Sequence, residues 1–212
     1  RGLLHVHTDF SYDGHVDVAT LGTMLRAEKL DFAVLTEHVE GFCEEKFADY
    51  IAQCEAHSAD DLLLVPGIEY TFKVGADRIE IILIGRESFV VAEDIAGVLE
   101  HKRRHDLLAF LPHPLKFKSV ADEVLSAVDM IEVWNRRYDG GAFMPTENID
   151  FYRNSILRRG RAVNAAAGVD FHMVGDALDL VTRVNCESLN CLSLCRALRA
   201  GEYLIEYRNL KI

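Results

Sequence analysis

Short apolar runs alternate with longer amphipathic segments from one end of the chain to the other. The runs at 3–6, 32–35, 62–65, 78–84, 107–111, 130–133, 162–166 and 203–206 have the length of buried strands. Between them, 18–28, 44–57, 92–104, 120–127, 148–159 and 189–200 repeat their apolar positions at helical spacing. Asp17 stands where a side-chain cap would open the first of these helices. The alternation of strand and helix predicts an α/β fold built on parallel strands. About seven such units, with no repeat and no linker between them, predict one domain over residues 1–212, closed or nearly closed as a barrel.

Composition narrows the class. Half of the 212 residues are hydrophobic and 27% are charged, which excludes a disordered or fibrous chain. No apolar run approaches the ~18–20 residues needed to span a bilayer. Gly2-Leu3-Leu4 gives way at once to His5, so no signal peptide is expected at this start, and Arg1 in place of Met leaves room for chain ahead of it. The net charge of −11 argues against a long nucleic acid as partner, although eleven of the 23 basic residues gather between Lys102 and Arg161. The cysteines (Cys43, Cys54, Cys186, Cys191 and Cys195) are odd in number and form no C-x-x-C pair, so they read as free thiols of a reducing cytoplasm.

Candidate chemistry gathers at the C-terminal ends of the expected strands, where parallel β/α folds place their sites. His5 and His7 end the first run, and spacing i, i+2 on a strand turns both imidazoles to one face. Ser11-Tyr12-Asp13-Gly14 follows as a turn that can bring Asp13 back over the strand ends. Thr36-Glu37-His38, Pro66-Gly67-Ile68-Glu69, Pro112-His113-Pro114 and Gly168-Val169-Asp170-Phe171-His172 stand at further strand ends. Together they set imidazoles and carboxylates, the ligand types of divalent metals, on one rim.

This set, in this order, resembles the PHP (polymerase and histidinol phosphatase) family over residues 5–172. The resemblance implies a distorted (β/α)7, TIM-like barrel holding two or three divalent ions of Zn, Mn or Fe, and hydrolysis of a phosphoester by metal-bound hydroxide. Carried over by position, His5, His7, Glu69 and Asp170 would hold a first ion. Glu69 would bridge to a second, which also takes His113, and Asp13, His38 and His172 would hold a third. Glu69, His113 and His172 would then be nearest the chemistry. Clustered divalent ions neutralise a phosphate and polarise its P–O bonds.

Three departures from the family pattern change the picture. Where the family has a histidine on its fourth strand, this chain has Ile82, which cannot bind metal, while Glu80 shares its strand face from about 6.6 Å away. Glu37 replaces the usual Asp, and Val169 and Phe171 replace small residues. Phe171 either narrows the pocket or packs in the core.

Phosphate binding is expected from Arg136 and Arg137 in Trp134-Asn135-Arg136-Arg137-Tyr138, then from Lys116 and Lys118. Arg158, Arg159 and Arg161 close a helix and read as structural, and His101 and His105 as surface residues. The substrate expected is a small phosphorylated molecule, a phosphomonoester or a short nucleotide whose base could stack on Trp134, Tyr138, Phe143 or Phe171. Two other readings stay open: an amidohydrolase, since those enzymes also begin with His-x-His on a barrel strand, and a noncatalytic metal-binding module, because of Ile82.

Overall fold

The computed structural model describes residues 1–74, 77–117, 120–140, 143–160 and 163–208. In chain order the elements are β1 (Gly2–Val6), α1 (Val18–Ala27), β2 (Phe32–Leu35), β3 (Glu37–His38), α2 (Glu44–His57), β4 (Leu63–Val65), β5 (Gly67–Val74), β6 (Asp77–Ile84) and α3 (Ile95–His105). They continue with β7 (Leu108–Leu111), a 3-10 turn (Pro114–Lys116), α4 (Asp122–Ala127), β8 (Met130–Asn135), α5 (Arg136–Asp139), α6 (Thr146–Arg159), β9 (Asn164–Gly168), β10 (Leu180–Val184), α7 (Cys191–Ala200) and β11 (Tyr203–Tyr207). Asp17 caps α1 by accepting from the Thr20 N–H at 2.8 Å, as its position predicts.

The strands form two sheets, in the orders β11-β10-β1-β2-β4 and β3-β5-β6-β7-β8-β9. β1 pairs with β2 and β2 with β4 in parallel, and β3, separated from β2 only by Thr36, pairs in parallel with β5. β6 joins β5 and β7 antiparallel, and β7, β8 and β9 continue in parallel. Residues beyond β9 then return to β1: Val169 N–H donates to the Leu4 carbonyl, and His7 N–H to that of Phe171. The antiparallel β6 corrects the expectation of an all-parallel sheet. It follows β5 as a hairpin, so no helix carries the chain back and the direction must reverse. β10 and β11, an antiparallel pair beside β1, also lie outside the simple alternation.

Two apolar layers sort the strand residues by face. Leu4, Phe32, Val34, Val65, Ile82, Phe110 and Met130 share the inner cluster with Leu194 and Leu198 of α7. Leu3, Val6, Ala33, Leu35, Leu64 and Ile131 pack outward with α1–α4, through residues such as Leu21, Tyr50, Val98 and Val124. The first cluster is wholly apolar, and the polar side chains of the strand ends stand apart from it. All five cysteines are free thiols. Among the described residues no helix is long and apolar enough to cross a membrane.

Candidate metal centre

His5 shapes the entry to the site. Its φ of 62° lies in the left-handed region, and the β1–β2 register shifts between Leu3 and Val6. The bulge leaves Leu3 and Val6 facing the helices while Leu4 turns inward. Plain i, i+2 alternation therefore does not describe β1. His5 and His7 nevertheless converge, with their Nε2 atoms 3.7 and 3.5 Å from Glu69 Oε2 and each 3.6 Å from Asp170 Oδ1. Asp170 and His113 also take positive φ values, 51° and 23°.

The other expected ligands join the same cluster. His113 Nε2 lies 3.5 Å from Glu69 Oε1. Asp13 places its two oxygens 3.5 Å from His38 Nε2 and 3.3 Å from His172 Nε2, so the turn does fold back over the strand ends. His38 Nδ1 is 3.2 Å from Glu69 Oε2. Four groupings of mutually close donors result: His5, His7 and Glu69; His5, His113 and Asp170; His7, His38 and His172; and Glu69, Glu80 and His113.

These separations suit shared ions rather than direct hydrogen bonds. Two donors each about 2.1 Å from one tetrahedral ion stand about 3.4 Å apart. The buried atoms His5 Nε2, His7 Nε2, His38 Nδ1, His113 Nδ1 and both Glu69 oxygens have no hydrogen-bond partner among the described residues. A buried polar atom without a partner is costly, and here the orphans all point into one cluster. The donor set fits divalent metal.

The opposite ring nitrogens are held. Glu132 accepts from His5 Nδ1 at 3.1 Å, and the Asp170 carbonyl from His172 Nδ1 at 2.9 Å. Ser11 Oγ donates to Glu37 at 2.6 Å and so has a lone pair to accept from His7 Nδ1 at 3.2 Å. Each bond commits the proton to Nδ1 and leaves the lone pair of Nε2 facing the cluster. Glu37 itself is a buckle, not a ligand: it also accepts from the Thr8 N–H and hydroxyl, at 3.0 and 2.7 Å, and ties the 8–11 loop to β3. Burial outweighs these bonds and raises its pKa.

Electrostatics follow the same layout. Burial opposes charge on His5, but Asp170, Glu132 and Glu69 outweigh it and hold its pKa well above the usual value. His7 is as deeply buried and faces three other imidazoles, and its pKa falls well below. For Glu69, burial is outweighed by His5, His113 and His7, which keep the carboxyl well below its usual pKa.

Glu132 and Asn135 were not expected from the sequence. Glu132 Oε2 accepts from the His113 N–H at 2.7 Å and from Asn135 Nδ2 at 2.9 Å, and Asn135 Nδ2 also reaches Asp170 Oδ2 at 3.3 Å. The signal was a glutamate inside the otherwise apolar run Met130-Ile131-Glu132-Val133, since a buried carboxylate needs a partner.

The cationic and aromatic candidates divide. Arg136 spends its fork on Asp179, at 2.8 and 3.3 Å. Arg137 meets Asp176 at 3.5 Å, and its side chain is 38% exposed. Lys116 lies 3.8 Å over the Tyr138 ring, which meets His113 edge-on. Lys118 and Arg161 fall outside the described residues, while Arg158 and Arg159 donate to the Val120 and Ser126 carbonyls and tie α6 to α4. Phe171 and Trp134 are core residues, so only Tyr138 and Phe143 of the stacking candidates are exposed. Tyr12, unexpected in this role, is exposed and stacks on His38 at 5.0 Å.

No family model matches the sequence, and neither does any curated protein. Solved structures do match the fold. A two-domain protein from Bacteroides vulgatus, described as containing a predicted PHP-like metal-dependent phosphoesterase, aligns with a TM-score of 0.72 at 18% identity over 98% of this chain. This chain spans 64% of that protein's length. A protein from Bifidobacterium adolescentis, provisionally assigned as a metal-dependent phosphoesterase, aligns with a TM-score of 0.60 at 15% identity over 94% of this chain and 96% of its own. An amidohydrolase from Chromobacterium violaceum with bound sulfate and no metal gives 0.55 at 14% identity, over 96% of this chain and 97% of its own. The chain thus has the fold of PHP-like and amidohydrolase structures, in agreement with the resemblance its motifs carry.

Proposed function

We propose that this chain belongs with the PHP-like phosphoesterases and hydrolyses a small phosphorylated substrate, a phosphomonoester or short nucleotide, at a multinuclear centre. The observation that carries the reading is the set of buried, unpartnered imidazole and carboxylate atoms at ion-sharing distances around Glu69. His5, His7, Asp13, His38, Glu69, His113, Asp170 and His172 would hold two or three ions. Divalent metal bound there, whether Zn, Mn or Fe, would neutralise the phosphate and supply an activated water. Glu69, at the middle of the cluster, faces both His5 and His113 and would join neighbouring positions. A cavity of 200 Å³ beside His113, walled by Leu115, Lys116, Tyr138, Asp139 and Asn148, offers room for a small leaving group. Lys116, Arg137 and Arg136 are the candidate cations for phosphate oxygens, with Arg137 less committed than Arg136, which pairs with Asp179.

The phosphoesterase reading ranks above the amidohydrolase one on two grounds. The bridge candidate, Glu69, stands early in the chain, and the last motif supplies both Asp170 and His172. Turnover of p-nitrophenyl phosphate with added Mn²⁺ or Zn²⁺ tests it. His7→Ala and Asp170→Ala should each abolish turnover. Hydrolysis that survives both substitutions ends the proposal, and activity on amides or lactams without phosphatase activity reverses the ranking.

A further inference from the structure

The loss of a histidine at position 82 has a structural counterpart two residues away. Ile82 is fully buried in the inner cluster, pairs with Glu69 on one side and Phe110 on the other, and belongs to the apolar filling beneath the rim. Because β6 runs against its neighbours, its earlier residues lie nearer the rim. Glu80 therefore stands above Ile82 and opposite Thr71. It is 3% exposed, and its Oε2 lies 3.5 Å from His113 Nδ1. Glu69, Glu80 and His113 bring donor atoms within 4.8 Å of one another, all from buried residues. Both Glu69 oxygens and His113 Nδ1 have no hydrogen-bond partner among the described residues.

Two buried carboxylates this close repel each other unless a cation stands between them. The nearby side-chain cations lie to one side: Arg78 Nε meets the other Glu80 oxygen at 3.3 Å, and Lys116 Nζ is 3.9 Å from Oε2.

We infer that Glu80 is a metal ligand, closing with Glu69 and His113 a two-carboxylate, one-imidazole site that takes a hard divalent cation such as Mn²⁺. The inference rests on the metal-centre reading above. It makes this position richer in oxygen than the grouping of His7, His38 and His172, and carboxylate ligands suit Mn²⁺ where imidazoles suit zinc or iron.

The test is a titration of the full chain, stripped of metal, with Mn²⁺ alone, counting bound ions by electron paramagnetic resonance. Glu80→Gln keeps the shape and removes the charge, and should bind one Mn²⁺ fewer or hold it roughly tenfold or more weakly. Glu80→Asp, which keeps the carboxylate, should retain the ion with a smaller loss and serves if the Gln variant fails to fold. Arg78→Gln, which removes the outer partner only, should leave the count unchanged. Equal count and affinity in wild type and Glu80→Gln overturns the inference and leaves the rest of the metal centre standing. A wild-type chain that binds neither Mn²⁺ nor Zn²⁺ overturns both.

Discussion

Replacing Glu132 by Gln tests whether the centre depends on a residue that is not itself a ligand. The carboxylate is buried and accepts three hydrogen bonds: from His5 Nδ1 on one oxygen, and from His113 N–H and Asn135 Nδ2 on the other. A glutamine has one oxygen to share among them. If it serves His113 and Asn135, its NH₂ faces His5 Nδ1 and drives the imidazole proton to Nε2, the atom that faces Glu69 and Asp170. If it serves His5, the NH₂ confronts two donors. Either arrangement disturbs ligand presentation without removing a ligand. Groups that orient metal ligands contribute about 10–100-fold in affinity, or ~1.4–2.7 kcal/mol. Calorimetric titration with Mn²⁺ should therefore give an unchanged number of sites with weaker binding. The unmet donors should also lower unfolding stability by about 1–3 kcal/mol. Affinity within twofold of wild type would show that Glu132 does not hold His5 in its ligating form.

Four further outcomes follow from the same geometry. Gly168→Ala would set a Cβ 2.1 Å from Glu132 Oε1 and 2.6 Å from the His5 Cβ, so it should cost about 1–3 kcal/mol and weaken metal binding; an unchanged melting temperature contradicts this. Arg136→Ala should lower stability by breaking the Asp179 fork, whereas Arg137→Ala should raise KM for a phosphorylated substrate at little cost in stability, as denaturant melts and kinetics would reveal. Asp17→Ala should cost about 1 kcal/mol at pH 7. Because the cap bonds lower the folded-state pKa of Asp17, its contribution is present above the ordinary Asp value and disappears as pH falls through the lowered one, so urea melts of wild type and variant should converge in acid. Saturating Mn²⁺ at about 100 times its dissociation constant should stabilise the fold by ~2.7 kcal/mol per ion, or roughly 5–10 °C for a chain of this length; identical thermal melts with Mn²⁺ and with chelator would refute it.

The sequence reveals most of what each segment does locally and little of what depends on neighbours. The α2 range matches its expected span of 44–57, because its apolar positions repeat without interruption. Most ligand candidates were legible because imidazoles and carboxylates at the ends of apolar runs are chemically conspicuous. β5 was not, since its Glu69 and Lys73 break the apolar run, and its pairing with β6 is what makes it a strand. The direction of β6 was hidden for the same reason: residue pattern shows that a segment is a strand, while direction comes from the connection before it. Glu80 shows the consequence. Read as one face of a strand, it looked a full repeat too far from the position of Ile82, but an antiparallel β6 turns that offset towards the rim, where His113 stands. The pairing of Arg136 with Asp179, forty-three residues away, was likewise invisible to local spacing.

The cluster also shows where the fold carries its strain. His5, His113 and Asp170 all hold φ values that non-glycine residues avoid, at a cost of order 1–3 kcal/mol each. Buried carboxylates crowd the same volume, where Glu69 and Asp170 both face His5 and His7, and the rings of His38 and His172 each stack on His7 at 4.4 Å. Something outside the cluster must hold this arrangement, and the hydrogen bonds name it. Glu132 fixes His5 and the His113 backbone, Glu37 ties the 8–11 loop, and Asp176 accepts from the N–H groups of His172 and Met173 at 2.7 and 3.0 Å. These acceptors come from separate parts of the chain, so the cluster forms only once the strands that carry them are assembled. The ligands and their supports should therefore separate by experiment. Cutting back a ligand removes charge repulsion together with an ion site, whereas cutting back a support leaves the repulsion and the strained backbone in place and withdraws what opposes them.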